Sequence, residues 1–291
     1  MANGVLVLDK PQDWTSHDVV AKVRRLLHER RVGHGGTLDP MATGVLPVFV
    51  GRATRAVEFA MEGEKEYLAG LRLGVVTDTQ DVTGTVLTEC TVQDMHRDLL
   101  QVLDRFQGEI LQVPPMYSAI KIKGQKLYEL ARRGVEVERQ PRPVTIHSLE
   151  LVEMESQRDF VLRVRCSKGT YVRTLCHDIG QALGCGGIMY ALRRTRAGGF
   201  GEGEAVTLEA LAQAVEAGEG EGLLLPVDSC FAQLPALTVD AKARDRIRNG
   251  AAFSWDAAPG QWRVYGPDGE FLMVGELQNG RMDTVKSFFE V

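Results

Sequence analysis

The sequence predicts an α+β fold with a mixed or antiparallel sheet. Strand-like segments outnumber helix-like segments along the 291 residues, and helices do not follow every strand as they do in parallel α/β proteins. Hydrophobic residues make up 44% of the chain and charged residues 25%, which is typical of a globular protein with a substantial core. A Glu/Gly-rich stretch that becomes punctuated by Pro, over residues 218–235, marks a domain boundary.

The N-terminal part begins with a predicted strand and helix. Residues 4–8 are apolar and favour a strand, and Ser16 is placed to cap the helix that follows. The apolar residues of that helix recur at helical spacing, at Val20, Val23 and Leu27. Further strands are predicted at residues 45–50 and 67–73 and, after a turn at 81–84, at residues 85–88.

The middle of the chain predicts two more helices around a strand. The first helix is amphipathic, with its apolar face at Met95, Leu99, Leu103 and Phe106. The strand at residues 160–166 alternates apolar residues with Arg163 and Arg165, so that one face is buried and the other basic. Thr170 is placed to cap the second helix, which Gly184 ends.

The C-terminal residues predict a small β-rich module. They contain a short basic helix at residues 242–248 and a hairpin turn at residues 267–269. We therefore divide the chain into residues 1–230 and residues 231–291.

Residues 33–47 combine one imidazole, one carboxylate and four glycines between prolines. Glycine permits backbone conformations and close approaches that other residues resist, and Pro40 keeps Asp39 out of helical geometry. An isolated Asp-Pro pair would indicate an Asx-type turn before a strand. The density of such residues favours instead a carboxylate held at a fixed angle on an extended loop.

Composition excludes several classes of protein. No apolar run approaches the roughly 20 residues that span a bilayer, and the N-terminus lacks the features of a secretory signal, so we expect a cytoplasmic protein. The five cysteines are scattered, which makes a disulfide framework or a closed zinc site improbable. Cys176 and His177 are adjacent on a predicted helix and point in different directions, so we expect no metal there.

The distribution of charge indicates a polyanionic partner despite a net charge of −5. Residues 163–196 hold seven basic side chains against Asp178 alone, and residues 121–146 hold seven against three glutamates. By contrast, residues 202–222 contain six glutamates and no basic residue. Because a protein that binds nucleic acid needs a positive face rather than a positive total, both basic segments are candidate RNA-binding surfaces.

The chain resembles the TruB-type pseudouridine synthases over roughly residues 4–200. Five segments carry the resemblance in the order that the family has them: residues 10–16, 33–47, 65–67, 114–121 and 166–173, followed by Tyr-Ala-Leu-Arg-Arg at residues 190–194. Two positions depart from the family pattern, because Asp13 stands where glycine is more usual and Gly35 where threonine is more usual. Neither departure affects the carboxylate of the Gly-Thr-Leu-Asp-Pro segment at residues 36–40.

The resemblance implies a fold and an activity. The fold would be a pseudouridine-synthase catalytic domain with a long curved mixed or antiparallel sheet, crossed by the active-site cleft, and a small C-terminal β-rich domain like the PUA RNA-binding domain. The activity would be the isomerisation of uridine 55 in the T loop of tRNA, with Asp39 as the catalytic nucleophile. It would need neither a metal nor an organic cofactor. The sequence leaves open whether Asp39 attacks C1′ or C6, or assists a glycal-forming elimination.

The resemblance also assigns roles around Asp39. Arg173 would pair with the carboxylate and keep it ionised in a cleft that RNA closes, and Tyr67 would stack on the flipped uracil and help remove the C5 proton. Tyr171 and Leu192 would line the uridine pocket, and His34 would fill the space left by the extruded base or contact RNA. Without the motifs, Tyr67 and Leu192 would be core residues and Arg173 an exposed helix cation.

Residues 121–146 would form an insertion that folds over the T loop, rather than a helical hairpin on the surface. The basic residues and the glycines of this segment favour an RNA-gripping lid, with phosphate contacts from Arg132 and Arg133. Lys10 and Lys121 are weaker candidates for supporting the catalytic loop or binding phosphate. We expect a monomer whose partner is the tRNA T stem-loop.

Three other functions compete with this interpretation. A tRNA-folding chaperone whose catalysis is dispensable would carry the same residues. A guide-RNA-dependent synthase of the same superfamily is disfavoured by the short chain, which lacks basic tails. A glycosidase is disfavoured because no second acid accompanies Asp39 in the motifs.

Overall fold

The computed structural model describes residues 2–92, 95–118, 120–122 and 124–289. Ala119 of the 114–121 motif and Lys123 of the basic 121–146 segment therefore lie outside the described residues. In the described ranges, no helix is long and apolar enough to cross a membrane.

Helices and strands alternate irregularly along the chain. The α-helices are α1 Ser16–Leu26, α2 Val57–Glu62, α3 His96–Leu103, α4 Leu127–Ala131, α5 Val172–Ala182, α6 Leu208–Glu216 and α7 Ala241–Arg248. The strands up to the end of the lid segment are β1 Gly4–Lys10, β2 Val32–His34, β3 Thr43–Val50, β4 Lys65–Leu73, β5 Val75–Thr77, β6 Val86–Glu89, β7 Gly108–Gln112, β8 Lys121–Ile122 and β9 Gln125–Lys126. The later strands are β10 Arg142–Met154, β11 Asp159–Cys166, β12 Gly187–Ala197, β13 Phe200–Gly201, β14 Ala236–Thr238, β15 Phe253–Ser254, β16 Gly260–Tyr265, β17 Phe271–Gln278 and β18 Arg281–Ser287.

The main sheet is mixed, as the sequence predicts. Over the described residues it has nine strands in the order β1-β3-β12-β4-β11-β10-β7, with β2 on the edge of β3 and β13 beside β12. All neighbours are antiparallel except β3 and β12, which run parallel and share only the pairs Thr43–Arg193 and Gly44–Arg194. Because β3 and β12 pair over only two residues each, these two strands can diverge beyond the paired segment.

Helices α1, α3, α5 and α6 cover one face of the main sheet, and α2 packs on the other face. Along β4 the side chains of Tyr67, Ala69, Leu71 and Leu73 are buried, as their alternation predicts. On β11 the residues at 160, 162, 164 and 166 are buried, while Arg163 and Arg165 point outward. Strand β10 starts at Arg142, so the last five residues of the 121–146 segment belong to the sheet rather than to the lid.

The C-terminal residues form a separate sheet of five described strands, in the order β14-β16-β17-β18-β15. This small sheet has its own buried cluster around Val264, Leu272 and Met282. It meets the main domain through a cluster of aromatic rings. The Phe231 ring lies edge to face against the Phe59 ring at 5.2 Å between centroids, and it lies tilted against the Phe288 ring at 5.6 Å. The small β-rich module that the sequence predicts is therefore present, and it packs on the first domain.

Two predicted helix caps are wrong by one residue. Helix α1 is capped by Thr15, whose hydroxyl accepts from the backbone N–H of Asp18 in a capping box, because Ser16 uses its hydroxyl elsewhere. Helix α5 begins after Tyr171, because the Thr170 hydroxyl donates to the carbonyl of Ser167 instead of capping the helix.

Candidate active site

Asp39 lies on the loop between β2 and β3, and its neighbours are fixed from both sides. The Ser16 hydroxyl donates to the carbonyl of Leu38 at 3.2 Å and accepts from the N–H of Leu38 at 2.9 Å. Across the loop, the N–H of Asp13 donates to the carbonyl of Pro40 at 2.8 Å. These bonds set the direction of the carboxylate before any substrate is present.

Arg173 holds the Asp39 carboxylate with two nitrogens. Its Nε lies 3.0 Å from Oδ2, and its Nη2 donates to Oδ1 at 3.4 Å. The guanidinium is buried, with 7% of its side chain exposed, whereas 35% of the Asp39 side chain remains exposed. The pairing that the sequence predicts between these residues, 134 positions apart, is therefore present. The exposed edge of the carboxylate is the side open to a substrate.

Asp81 is a second carboxylate on Arg173, and the sequence analysis missed it. Its Oδ2 lies 3.5 Å from Nη1 of Arg173, and its Oδ1 accepts from the hydroxyl of Thr79 and the N–H of Thr83 at 2.8 and 2.9 Å. The side chain is only 6% exposed. The sequence analysis assigned Asp81 to a turn at residues 81–84, and no spacing in the sequence links it to Arg173.

Burial decides the protonation behaviour of Asp39. Desolvation raises the pKa of the Asp39 carboxyl, Arg173 acts against that shift, and the nearby charge of Asp81 adds to it. The ionised carboxylate is therefore a more basic and more reactive group than an exposed aspartate would be. Among the charged neighbours, Arg173 opposes this rise in the pKa most strongly.

Tyr67 and Arg194 form the floor of the site beside the loop. Burial raises the pKa of the Tyr67 hydroxyl, and a hydrogen bond with Arg194 acts in the opposite direction. Arg194 is 1% exposed, and it donates to the carbonyls of Val45 and Gly36 at 2.7 and 3.2 Å. The sequence analysis placed Arg194 in a basic face. It is instead a buried cation that joins β12 to both ends of the loop that carries Asp39.

The other predicted site residues, Tyr171, Leu192 and His34, differ in position and burial. Tyr171 lies at the start of α5, where its backbone N–H donates to Oε1 of Gln112 at 3.0 Å, and Leu192 is 8% exposed in the core. A cleft of about 260 Å³ is lined by residues that include Met41 and Leu192, but Asp39, Tyr67 and Arg173 do not line it. His34 is half-buried, and burial lowers the pKa of its imidazole.

Comparison with known proteins decides the family. Residues 24–172 match the model of the TruB family pseudouridylate synthase (N terminal domain), and residues 173–232 match that of the tRNA pseudouridylate synthase B C-terminal domain. The chain belongs to the TruB family. It is therefore a pseudouridylate synthase, an isomerase.

Relatives and solved structures agree along the whole chain. The chain is 47% identical to tRNA pseudouridine synthase B of Azoarcus sp. (strain BH72), over 97% of this chain and 93% of the relative. It is 41% identical to the protein of that name from Clostridium kluyveri, over 98% and 99%. The solved "Crystal Structure of a Cbf5-Nop10-Gar1 Complex" has a TM-score of 0.76 at 30% identity, covering 99% of this chain and 85% of that one.

The two departures from the TruB pattern have structural reasons. Asp13 adopts φ +64°, a left-handed conformation that glycine adopts freely and aspartate tolerates better than most residues. At Gly35 an added Cβ would lie 2.9 Å from the Phe49 ring and 3.4 Å from the Cβ of Ala60. Phe49 therefore occupies the space that a threonine at position 35 would need.

The basic surface predicted at residues 163–196 is wrong. Each of its exposed cations except Arg196 has a carboxylate partner among the described residues: Arg163 with Glu66, Arg165 with Glu64, Lys168 with Glu62, and Arg193 with Asp9 and Glu202. Arg173 and Arg194 are buried. Cross-strand partners cancel the local excess, so this segment is not a positive face.

The lid segment keeps its positive charge. Lys121, Arg132 and Arg133 are exposed and have no carboxylate partner within the described part of the chain. The Arg132 guanidinium lies 5.4 Å from the centre of the Tyr128 ring. The segment just before the lid contacts the site, because the carbonyl of Tyr117 accepts a hydrogen bond from Nη2 of Arg173 at 2.9 Å.

Lys10 cannot bind phosphate in this structure, which corrects one of its two predicted roles. Its side chain is fully buried, and its ammonium donates to the carbonyls of Pro11, Trp14 and Pro40 at 2.8, 2.7 and 3.1 Å. These bonds hold the loop that carries Asp39, so Lys10 has the supporting role.

Proposed function

We propose that this enzyme converts uridine to pseudouridine at position 55 in the T loop of tRNA, with Asp39 as its nucleophile. The observation that carries the proposal is the partly exposed Asp39 carboxylate, held by two nitrogens of a buried Arg173 at 3.0 and 3.4 Å. The family supplies the reaction, and the names of the relatives supply the substrate, since they are called tRNA pseudouridine synthase B. The choice of position 55 rests on the resemblance of the loop segments.

We further propose that the enzyme works without a guide RNA, in the cytoplasm, as a monomer. Structural neighbours at 28% and 30% identity come from assemblies, one described as "Structure of H/ACA RNP bound to a substrate RNA containing 2'-deoxyuridine". The relatives that match 97–98% of the chain at higher identity are named for tRNA alone. The small C-terminal sheet would serve as a PUA-like RNA-binding domain, and residues 1–230 as the catalytic domain.

The reaction needs no net redox change. The C1′–N1 bond breaks, the uracil rotates, a C1′–C5 bond forms, C5 loses its proton and N1 gains one. Asp39 would form a covalent adduct with the substrate and release it, which requires the ionised carboxylate that Arg173 stabilises. Asp81 at Nη1 and the carbonyl of Tyr117 at Nη2 also hold Arg173, so the guanidinium would stay aligned while the carboxylate reacts.

The target uridine must leave its stack to reach Asp39. Tyr67 would stack on the flipped uracil with Arg194 at its hydroxyl, and Tyr171 and Leu192 would line the remaining walls. His34 would meet the RNA beside the extruded base. The exposed lid cations Lys121, Arg132 and Arg133 would contact phosphates of the bound RNA.

The test is release of tritium from tRNA transcript labelled at uridine C5. The wild-type enzyme should release tritium from the normal transcript and none from one with cytidine at position 55. Asp39→Asn should abolish release while tRNA binding stays within about tenfold. Asp13→Asn is the matched control, because it removes an exposed neighbouring carboxylate at a left-handed position that asparagine also adopts. Product formation by Asp39→Asn would reject the nucleophile. Tight binding by the wild type without release would favour the tRNA-folding chaperone.

A further inference from the structure

Five cations surround the C-terminal end of α1 and the start of β2. They are Lys22, Arg24, Arg25, Arg30 and Arg31, and we call them the α1 cationic surface. We propose that this surface binds the phosphate backbone of the substrate RNA, in addition to the contacts proposed for the lid. The proposal rests on the proposed function, because it names a second part of the same enzyme that the RNA would touch.

The α1 cationic surface is largely uncompensated. Four of its members (Lys22, Arg24, Arg25 and Arg30) have no carboxylate partner within the described ranges, and Arg31 has only Glu29 at 3.8 Å. Residues 16–34 contain one other acid, Asp18, which is occupied by the Thr15 hydroxyl and N–H in the capping box. This contrasts with residues 163–196, where the exposed arginines and the lysine are almost all neutralised by glutamates and aspartates.

Helix α1 is attached directly to the catalytic loop. The Ser16 hydroxyl makes two hydrogen bonds to the backbone of Leu38, the residue before Asp39. At the next position, the His17 ring meets the His34 ring edge to face at 5.4 Å between centroids. The helix rises about 1.5 Å per residue, so the backbone of Arg25 lies only about 13 Å from that of Ser16. The surface therefore lies on the helix that anchors the loop carrying Asp39, a short distance from that loop.

The two unpaired basic surfaces reach Asp39 through different elements. The lid connects to it through Tyr117 and Arg173, and α1 connects to it through Ser16 and Leu38. A stem-loop that reaches Asp39 would therefore have two separate groups of cations available for its phosphates. Two such contacts would fix the register of the RNA as well as its affinity.

A purely structural role predicts a different outcome. Basic side chains at a helix C-terminus stabilise the helix through its dipole, and Nη2 of Arg24 donates to the carbonyl of Val32 at 2.7 Å. Arg24 is therefore unsuitable for the test. Arg25 and Arg30 are exposed, and Arg25 makes only a 3.4 Å bond to the carbonyl of Ala21 in its own helix.

The experiment compares R25A/R30A with R97A/R105A. The control pair also removes two exposed arginines, but these lie next to Asp98 and Asp104, where the local charge is balanced. Binding of unmodified tRNA transcript is measured over a range of salt concentrations, with KM and kcat from C5 tritium release and the unfolding temperature as a fold check. For R25A/R30A we expect the slope of log Kd against log salt to fall by about 1.5, because each lost phosphate contact removes about 0.7–0.9 from it.

We also expect KM to rise with Kd, with the change falling on KM rather than on kcat. The control pair should alter neither the slope nor KM. A slope and Kd equal to those of the wild type would overturn the proposal, as would an equal effect of the control pair. A loss confined to kcat and unfolding temperature would also overturn it in favour of the helix-stabilising role. Failure of the wild type to release tritium would reject the proposed function instead, while the salt dependence of tRNA binding would still decide the role of α1.

Discussion

Replacing Arg173 by lysine should slow catalysis about a hundredfold without removing the positive charge. The guanidinium uses all three nitrogens, contacting Asp39 twice, Asp81 once, and the carbonyls of Tyr117 and Thr79 at 2.9 and 3.3 Å. A lysine has one ammonium with three donors at a single point, so it cannot reach both carboxylates and both carbonyls.

The magnitude follows from the contacts to Asp39. A hydrogen bond between charged groups contributes about 1.5–3 kcal/mol, and lysine would keep at most one of the two that Arg173 makes to this carboxylate. A loss of about 2–3 kcal/mol in the transition state corresponds to a rate about 30- to 150-fold slower, since each 1.36 kcal/mol is a factor of ten. A less well-aligned cation also opposes burial less effectively, so the pKa of Asp39 should rise further.

The assay is single-turnover tritium release as a function of pH, with saturating enzyme. Because the proposed nucleophile Asp39 must be ionised to react, activity should be lost as the pH falls through its pKa, and a higher pKa should move this acid limb to higher pH. Arg72→Lys is the matched control, because Arg72 makes an equally two-pronged pair with Asp159 at 2.6 and 3.3 Å outside the site. A rate for Arg173→Lys within threefold of the wild type, with an unmoved acid limb, would refute the reasoning.

Three further predictions use the same structure. Asp39→Asn should raise the unfolding temperature at neutral pH. Because the pKa of Asp39 is higher in the folded than in the unfolded protein, ionisation of this carboxyl lowers the stability of the fold as the pH rises above the pKa of the unfolded state. The gain from asparagine should therefore shrink on acidification, and an equal or lower unfolding temperature at neutral pH would contradict the prediction. Tyr67→Phe should lower kcat by about a hundredfold or more and leave tRNA binding nearly unchanged, since it removes only the hydroxyl beside Arg194; a kcat near that of the wild type would limit Tyr67 to stacking. Gly44→Ala should destabilise the protein by about 3 kcal/mol or more in denaturant unfolding, because its Cβ would lie 2.2 Å from the carbonyl oxygen of Arg194. Gly108→Ala should cost clearly less, since Gly108 has a similar φ but open space around it, and equal costs would show that backbone strain alone decides.

The chain by itself determined the class of fold and the conformation of the loop that carries Asp39, the proposed nucleophile. Alternation along β4 and β11 specified which side chains are buried, because the two faces of a strand follow directly from a period of two residues. The glycines and prolines around Asp39 specified an extended loop. Family resemblance paired Asp39 with Arg173, and the structure brings the two together.

Only the tertiary structure decided how the charges are used. Asp81 joins Arg173 across 92 positions, and Glu64 and Glu66 neutralise the outward arginines of β11, because strand pairing brings together residues that no local window contains. Lys10 and Arg194 are cations in the sequence but internal hydrogen-bond donors in the fold. Local sequence records the sign of each charge. Its partner, and hence whether it faces RNA or the protein, depends on contacts between distant segments.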